Sequence, residues 1–268
     1  MKQTNREHKR ERNKSIAILG VSAALIIVLQ ALAEGLRVFG LPLSLALGLI
    51  PVLVVAQLRD VKSGVILGTV FGLTSFVIGV IQMSGVEGAG VIAFNPLVTV
   101  LPRTLVGLVC GAVAAGFARL NAKREYLGKS VEGSRFKRFS RNYLQSAVAT
   151  LCGVLTNTIG FLGMMFAFAH GRNLGGLIID FRYILAAVVA VNTVVEAVSY
   201  VVIVPAIVQA LRKARVLRYE RTYHFDEANA PDQKRLLNKA VPTVYSILLP
   251  TIALLAAVIT GLVLCLAV

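Results

Sequence analysis

Seven stretches of this chain are apolar for close to the length of a membrane crossing: about 15–33, 41–58, 64–82, 96–118, 143–169, 181–210 and 242–267. Some 20 residues rising ~1.5 Å each cross the roughly 30 Å of hydrocarbon in a bilayer. Inside lipid every backbone N–H and C=O must find its partner within the protein, which leaves only helices and closed barrels. Barrel strands alternate apolar and polar residues over segments of ~10, and no such alternation is present. The expected fold class is an all-α membrane protein. Composition agrees, with 56% hydrophobic and 15% charged residues against about 25% charged in a soluble domain. That balance excludes a soluble enzyme, a disordered chain and a secreted disulfide scaffold. Cys110, Cys152 and Cys265 lie far apart inside apolar runs, which is neither a bridge framework nor a metal-ligand spacing.

The net charge of +15 sorts by side of the membrane. Residues 1–14, the turn Arg59–Lys62, the loop Arg119–Arg141 and the segment 211–240 hold 24 of the 28 Lys/Arg. The opposite connections, 34–40, 83–95 and 170–182, are neutral in sum. Basic loops stay cytoplasmic, so the N-terminus is expected inside and the C-terminus, after seven crossings, outside. Topology and attraction to anionic lipid account for the charge; nucleic-acid binding is not needed. Residues 1–33 also resemble a secretory signal ending in Ala31-Leu32-Ala33. Their apolar stretch exceeds the usual 7–15 residues, roughly, of such signals, so the first helix is expected to be retained.

Within the spans, a few residues carry chemistry. Arg103 lies about seven residues into the fourth span, roughly 10 Å deep. A guanidinium there costs at least ~2.5–3.5 kcal/mol and must face a partner or a wet cavity. Pro102 cannot donate to the Val98 carbonyl and leaves an acceptor free at that depth. Asn95, Thr99 and Arg103 recur at four-residue spacing on one face, a polar stripe entering from the outer surface. The planar fork of arginine suits a carboxylate or phosphate. The fifth span adds Asn157, flanked by Thr156 and Thr158, and the sixth adds Asn192 with Glu196 one turn deeper. Two readings follow: an outward-facing pocket among spans 4, 5 and 6, or an Arg103–Glu196 pair that locks the bundle. Glu196 can also serve both by neutralising an empty Arg103.

Small residues form rows as well. Gly64, Gly68 and Gly72, with Gly107 and Gly111, are expected to pack helices inside the bundle. Ala17, Gly20 and Ala24 lie on one face of the first helix, for internal packing or for docking a separate membrane subunit. Gly128-Lys129-Ser130 imitates the end of a phosphate-binding loop, but Lys123 stands where that loop needs glycine. No motif for a metalloenzyme or a nucleotide hydrolase is found, so no cofactor is expected, and uphill transport must draw energy from a gradient or from another protein.

Four stretches carry a resemblance to a known family. They are Leu49-Ile50-Pro51-Val52; Asn95-Pro96-Leu97-Val98 leading to Leu101-Pro102-Arg103; Leu155-Thr156-Asn157-Thr158; and Asn192-Thr193-Val194-Val195-Glu196 ending in Val204-Pro205-Ala206-Ile207. In these the chain resembles the S component, the substrate-capture subunit, of an energy-coupling factor (ECF) transporter of vitamins. The resemblance implies a six-helix bundle that takes a vitamin from outside. It also implies partners, a transmembrane coupling subunit and two ATP-binding subunits, and a docking face at Ala17, Gly20 and Ala24. The substrate site it implies matches the positions of Arg103, Asn157 and Asn192.

The resulting expectation is a basic cytoplasmic tail at 1–14, a six-helix core at 15–210, a basic cytoplasmic segment at 211–241 and an additional hydrophobic helix at 242–268. The family core ends near residue 210, and Pro242 and Pro250 interrupt the last stretch. Function is expected to be capture of a small carboxylate-bearing vitamin, pantothenate- or folate-type, at Arg103, Asn95, Thr99, Asn157, Asn192 and Glu196, under a lid formed by 83–95 and 170–180. The alternative is a self-contained proton-coupled transporter in which Glu196 carries the proton.

Overall fold

A computed structural model describes residues 2–38, 46–83, 92, 94–126, 135–174, 177–178, 180 and 191–214. Six helices make up its frame: α1 (Lys2–Val38), α2 (Leu49–Leu58), α3 (Val61–Met83), α4 (Pro96–Tyr126), α5 (Arg135–Ala169) and α6 (Val191–Lys213). Between α5 and α6 lies a minimal antiparallel hairpin, β1 (Asn173–Leu174) against β2 (Leu177–Ile178), with Asn173 opposite Ile178.

Among the described residues four segments are long and apolar enough to cross a membrane: Arg12–Leu36, Val61–Gln82, Pro96–Arg124 and Phe139–Ala169. Their outward sides carry large apolar residues in contiguous arrays. Ile16, Val21, Leu25, Val28 and Leu32 line α1, while Ile66, Leu73, Val77 and Ile81 line α3. A soluble protein rarely exposes patches of this extent; lipid tails accept them at no penalty.

Three boundaries differ from the sequence reading. Helix α1 starts at Lys2 and runs unbroken through the expected tail into the span. The basic loop after the fourth span is largely helical, because α4 continues to Tyr126 and α5 begins at Arg135. Hydropathy marks where a helix meets lipid and is silent on where its hydrogen-bond ladder ends. The second stretch, expected at 41–58, is described as helix only over the 10 residues Leu49–Leu58, about 15 Å long at ~1.5 Å per residue and too short to cross alone. Residues 41–45, the first third of the sixth stretch (181–190) and the entire seventh lie outside the described residues.

Short α2 is the centre of the core, with Leu49, Val52, Leu53, Val55, Ala56 and Leu58 buried and packed toward Ile26, Leu67, Phe71, Val106, Cys110 and Val204. Its Gln57 is also buried and satisfied on both ends: Nε2 donates to Thr150 Oγ1 at 2.9 Å, and Oε1 accepts from Ser146 Oγ at 2.5 Å. Such a bond is worth more in a water-free interior, because its loss strands two polar groups. At the basic end of the bundle Arg59 Nη1 donates to Ser15 O at 3.1 Å and Nη2 to Ser15 Oγ at 2.5 Å. Asp60 Oδ1 accepts from the Ser63 N–H at 2.6 Å and caps the start of α3.

Helices α3 and α4 meet along the glycine rows. A Cβ on Gly64 would stand 2.7 Å from the Gly107 carbonyl oxygen, and one on Gly72 would stand 2.7 Å from Val100 Cα. Gly68 lies against the Arg103 carbonyl. Only hydrogen at these positions lets two backbones come so close, which is how helices bind each other in lipid. The Thr69 and Thr104 hydroxyls add a hydrogen bond of 3.1 Å across the same seam. These rows are internal packing.

Candidate binding site

Arg103 projects from α4 one residue after Pro102, whose ring breaks the local hydrogen-bond ladder. Its side chain turns back along its own helix, and Nη1 donates to the Thr99 carbonyl at 2.8 Å. Phe71 of α3 and Phe161 of α5 flank the guanidinium, 5.3 Å and 5.6 Å from its carbon to the ring centroids. That arrangement supplies two cation–π contacts. Nε of Arg103 is buried without a hydrogen-bond partner among the described residues.

Two neighbours share this condition. Thr99 Oγ1 and Asn157 Oδ1 are buried and unpartnered among the described residues. Asn157 is brought to the level of Arg103 by the α4–α5 contact. Gly160 abuts Pro102 on one side of it, and Gly153 abuts Cys110 and Val106 on the other. Buried polar groups are almost always satisfied. Three such atoms, on two adjoining helices, belong to residues picked out in sequence.

Glu196 approaches from α6. Its Oε1 accepts from the Ala46 N–H at 3.1 Å and from the Tyr200 hydroxyl at 3.0 Å. Among the described residues Arg103 and Glu196 thus direct their hydrogen bonds to other groups and make no direct ion pair with each other. The turn that leads into α2 lies between them. Ala46 holds Glu196, while Gly48, two residues on, packs so closely that a Cβ would stand 3.0 Å from the Phe71 ring. Phe71 is fixed in turn by Gln30, whose Nε2 donates to the Phe71 carbonyl at 3.2 Å.

The other expected site residues fall as follows. Asn95 stands at the start of α4, where its Oδ1 accepts from the Leu97 N–H at 3.0 Å and caps the helix. Asn192 belongs to α6, one turn before Glu196; its side chain lies outside the described residues. Most of the expected lid at 83–95 is likewise outside them, and the 170–180 segment contains the hairpin. Ala17, Gly20 and Ala24 are exposed on α1, and Gly20 has nothing within 4 Å of where a Cβ would be.

Phe71, Phe161, Tyr200 and Gln30 were not among the residues expected at the site. An aromatic ring inside an apolar run reads as core or lipid contact, so nothing marks Phe71 or Phe161 in advance. Tyr200 carried a usable signal, since it extends the Asn192–Glu196 face by one more turn. No group of three or more His, Cys, Asp or Glu capable of holding a metal is found among the described residues.

The site therefore offers a positive fork with unspent donors, a held carboxylate and an orphaned amide oxygen, walled by aromatic rings. Such a constellation is chemically suited to a small polar anion. Comparison with known proteins bears on the same residues. The family model for the substrate-specific component of ECF transporters matches residues 14–208. The protein named pantothenic acid transporter PanT from Lactococcus lactis subsp. cremoris (strain MG1363) is 28% identical over 208 residues, covering 77% of this chain and 98% of that protein.

Proposed function

Because the chain belongs to the family of substrate-specific components of ECF transporters, we propose that it captures pantothenate, or a closely similar small carboxylate-bearing vitamin, at Arg103. The chain is a multi-pass membrane protein and a vitamin-capture subunit, not an enzyme. In the proposed cycle the vitamin enters from the outer side, its carboxylate meets the guanidinium, and Asn157, Asn192 and Thr99 supply directional hydrogen bonds. A coupling subunit docked on Ala17, Gly20 and Ala24, with two ATP-binding subunits, then drives release into the cell. The N-terminus is cytoplasmic in this reading, as the distribution of Lys and Arg favours.

One observation carries the choice of an anion: the Arg103 guanidinium sits between two aromatic rings with Nε buried and, among the described residues, unpartnered. Pantothenate leads the folate-type vitamins because of the similarity to the Lactococcus protein along nearly its whole length. The exposure of Gly20 supports a docking role for the small face of α1.

A thermal-shift screen of the purified chain against water-soluble vitamins tests the proposal. A ligand that binds only the folded state raises the melting temperature, by an amount equivalent to about 2.7 kcal/mol at a hundredfold excess over Kd. Pantothenate is expected to give the largest shift. A shift given only by cationic or uncharged vitamins contradicts the anion site.

A further inference from the structure

One carboxylate oxygen of the site is unspent. Glu196 Oε1 takes two donors, the Ala46 N–H and the Tyr200 hydroxyl, which fills its lone pairs. Oε2 takes none among the described residues, and it is not one of the buried orphaned atoms. It therefore keeps some accessible surface. The group is also immobilised: Tyr200 is only 1% exposed and belongs to the apolar core, so its hydroxyl holds the carboxylate from one turn along α6. The Ala46–Gly48 turn holds it from the other side. That same turn presses on Phe71, over which Arg103 lies. A positive fork and a fixed negative group thus flank one turn, and the Asn157 oxygen, unpartnered among the described residues, lies on the helix next to α4.

We propose that Glu196, positioned by Tyr200, is the specificity-determining acceptor of the site: it takes a hydroxyl or amide N–H of the substrate and turns away molecules that carry a second anionic group. The inference rests on the reading of Arg103 as the carboxylate anchor. Its physical basis is a mismatch of donors and acceptors. Beyond Arg103 the site presents the acceptors Oε2 of Glu196 and Oδ1 of Asn157, and the Thr99 hydroxyl can accept as well, so donors on the distal part of the ligand are matched there. A hydroxyl meets that demand at no electrostatic cost. A phosphate or second carboxylate brings like charge toward a carboxylate that cannot swing aside, and like-charge juxtaposition in a binding site costs several kcal/mol. The preferred substrate class is a monoanionic hydroxy- or amido-carboxylate. Pantothenate has one carboxylate, an amide and hydroxyls at the far end.

Calorimetric titration of three compounds tests this: pantothenate, its phosphate monoester and an acyl-β-alanine analogue without hydroxyls. They are titrated into the wild-type chain, Glu196→Gln and Tyr200→Phe. The wild type is expected to bind pantothenate at least about 100-fold more tightly than the phosphate monoester, the factor that ~2.7 kcal/mol of repulsion gives. Glu196→Gln narrows this ratio about tenfold or more, because the negative charge is gone while an oxygen remains for Ala46 and Tyr200. Tyr200→Phe keeps the charge and the discrimination against phosphate, but loses part of the preference for pantothenate over the hydroxyl-free analogue. A purely structural Tyr200 would lower all three affinities alike. Equal discrimination in the wild type and Glu196→Gln, with pantothenate bound by both, overturns the inference and leaves the proposed function standing. Should Glu196→Gln fail to fold, an unchanged hydroxyl preference in Tyr200→Phe overturns it. A wild-type chain that does not bind pantothenate overturns the proposed function, and the inference with it.

Discussion

Gly68 offers a way to disturb the site without touching any group that would meet a ligand. It sits on α3 directly beneath the backbone of Arg103. A Cβ added there would collide with the Arg103 carbonyl oxygen and stand 3.2 Å from Thr104 Cα and 3.3 Å from the Arg103 carbonyl carbon. All of these are backbone atoms, so no side chain can rotate away and α4 itself must retreat. Overpacking of this kind costs about 1–3 kcal/mol. At roughly 2–4 °C per kcal/mol for a chain of this size, Gly68→Ala should melt about 2–12 °C below the wild type. The retreat moves the residue proposed to anchor the anion, so affinity should fall together with stability. Gly79→Ala is the control, since nothing lies within 4 Å of its added Cβ and alanine favours the helix by up to about 1 kcal/mol. The assay is thermal unfolding in detergent, followed by ligand titration at a temperature where both variants remain folded. A Gly68→Ala protein that melts and binds like Gly79→Ala refutes the claim that backbone contact between α3 and α4 sets the position of Arg103.

Further tests address other parts of the molecule. Gln57→Leu strands the Ser146 and Thr150 hydroxyls in the core, and thermal unfolding should show a loss of about 1–3 kcal/mol per stranded group. Arg103→Lys keeps the charge but not the planar fork, so calorimetry should find clearly weakened binding of a carboxylate at nearly unchanged melting temperature. Gly20→Leu should leave melting and ligand binding as they are, because the position is open, while abolishing uptake in cells that supply the coupling subunit. Unimpaired uptake would remove the docking role of that face.

What could be read from sequence follows the strength of each physical constraint. Arg103, Asn157 and Glu196 stood out because a polar group inside an apolar run is too costly in lipid to be incidental. The structure gives two of these, with Thr99, polar atoms that the described residues leave unsatisfied or open. The glycine rows were legible because close helix contact in lipid has few other causes. Helix ends were not, as in the stretch Arg119–Arg141, where long charged side chains continue a helix as readily as they interrupt one. The aromatic walls at Phe71 and Phe161 were hidden by being apolar among apolar residues. Nor could Ala46 be foreseen, because it reaches Glu196 through a backbone N–H, a group every residue but proline carries.

The central claim is that this chain alone binds a carboxylate through Arg103. Calorimetric titration of pantothenate into the purified wild type and Arg103→Ala tests it most directly. The account predicts one tight site per chain in the absence of any partner protein. It also predicts a loss of roughly 2–5 kcal/mol on removal of the guanidinium, in a variant that still unfolds cooperatively. Equal affinity in the two proteins would contradict it.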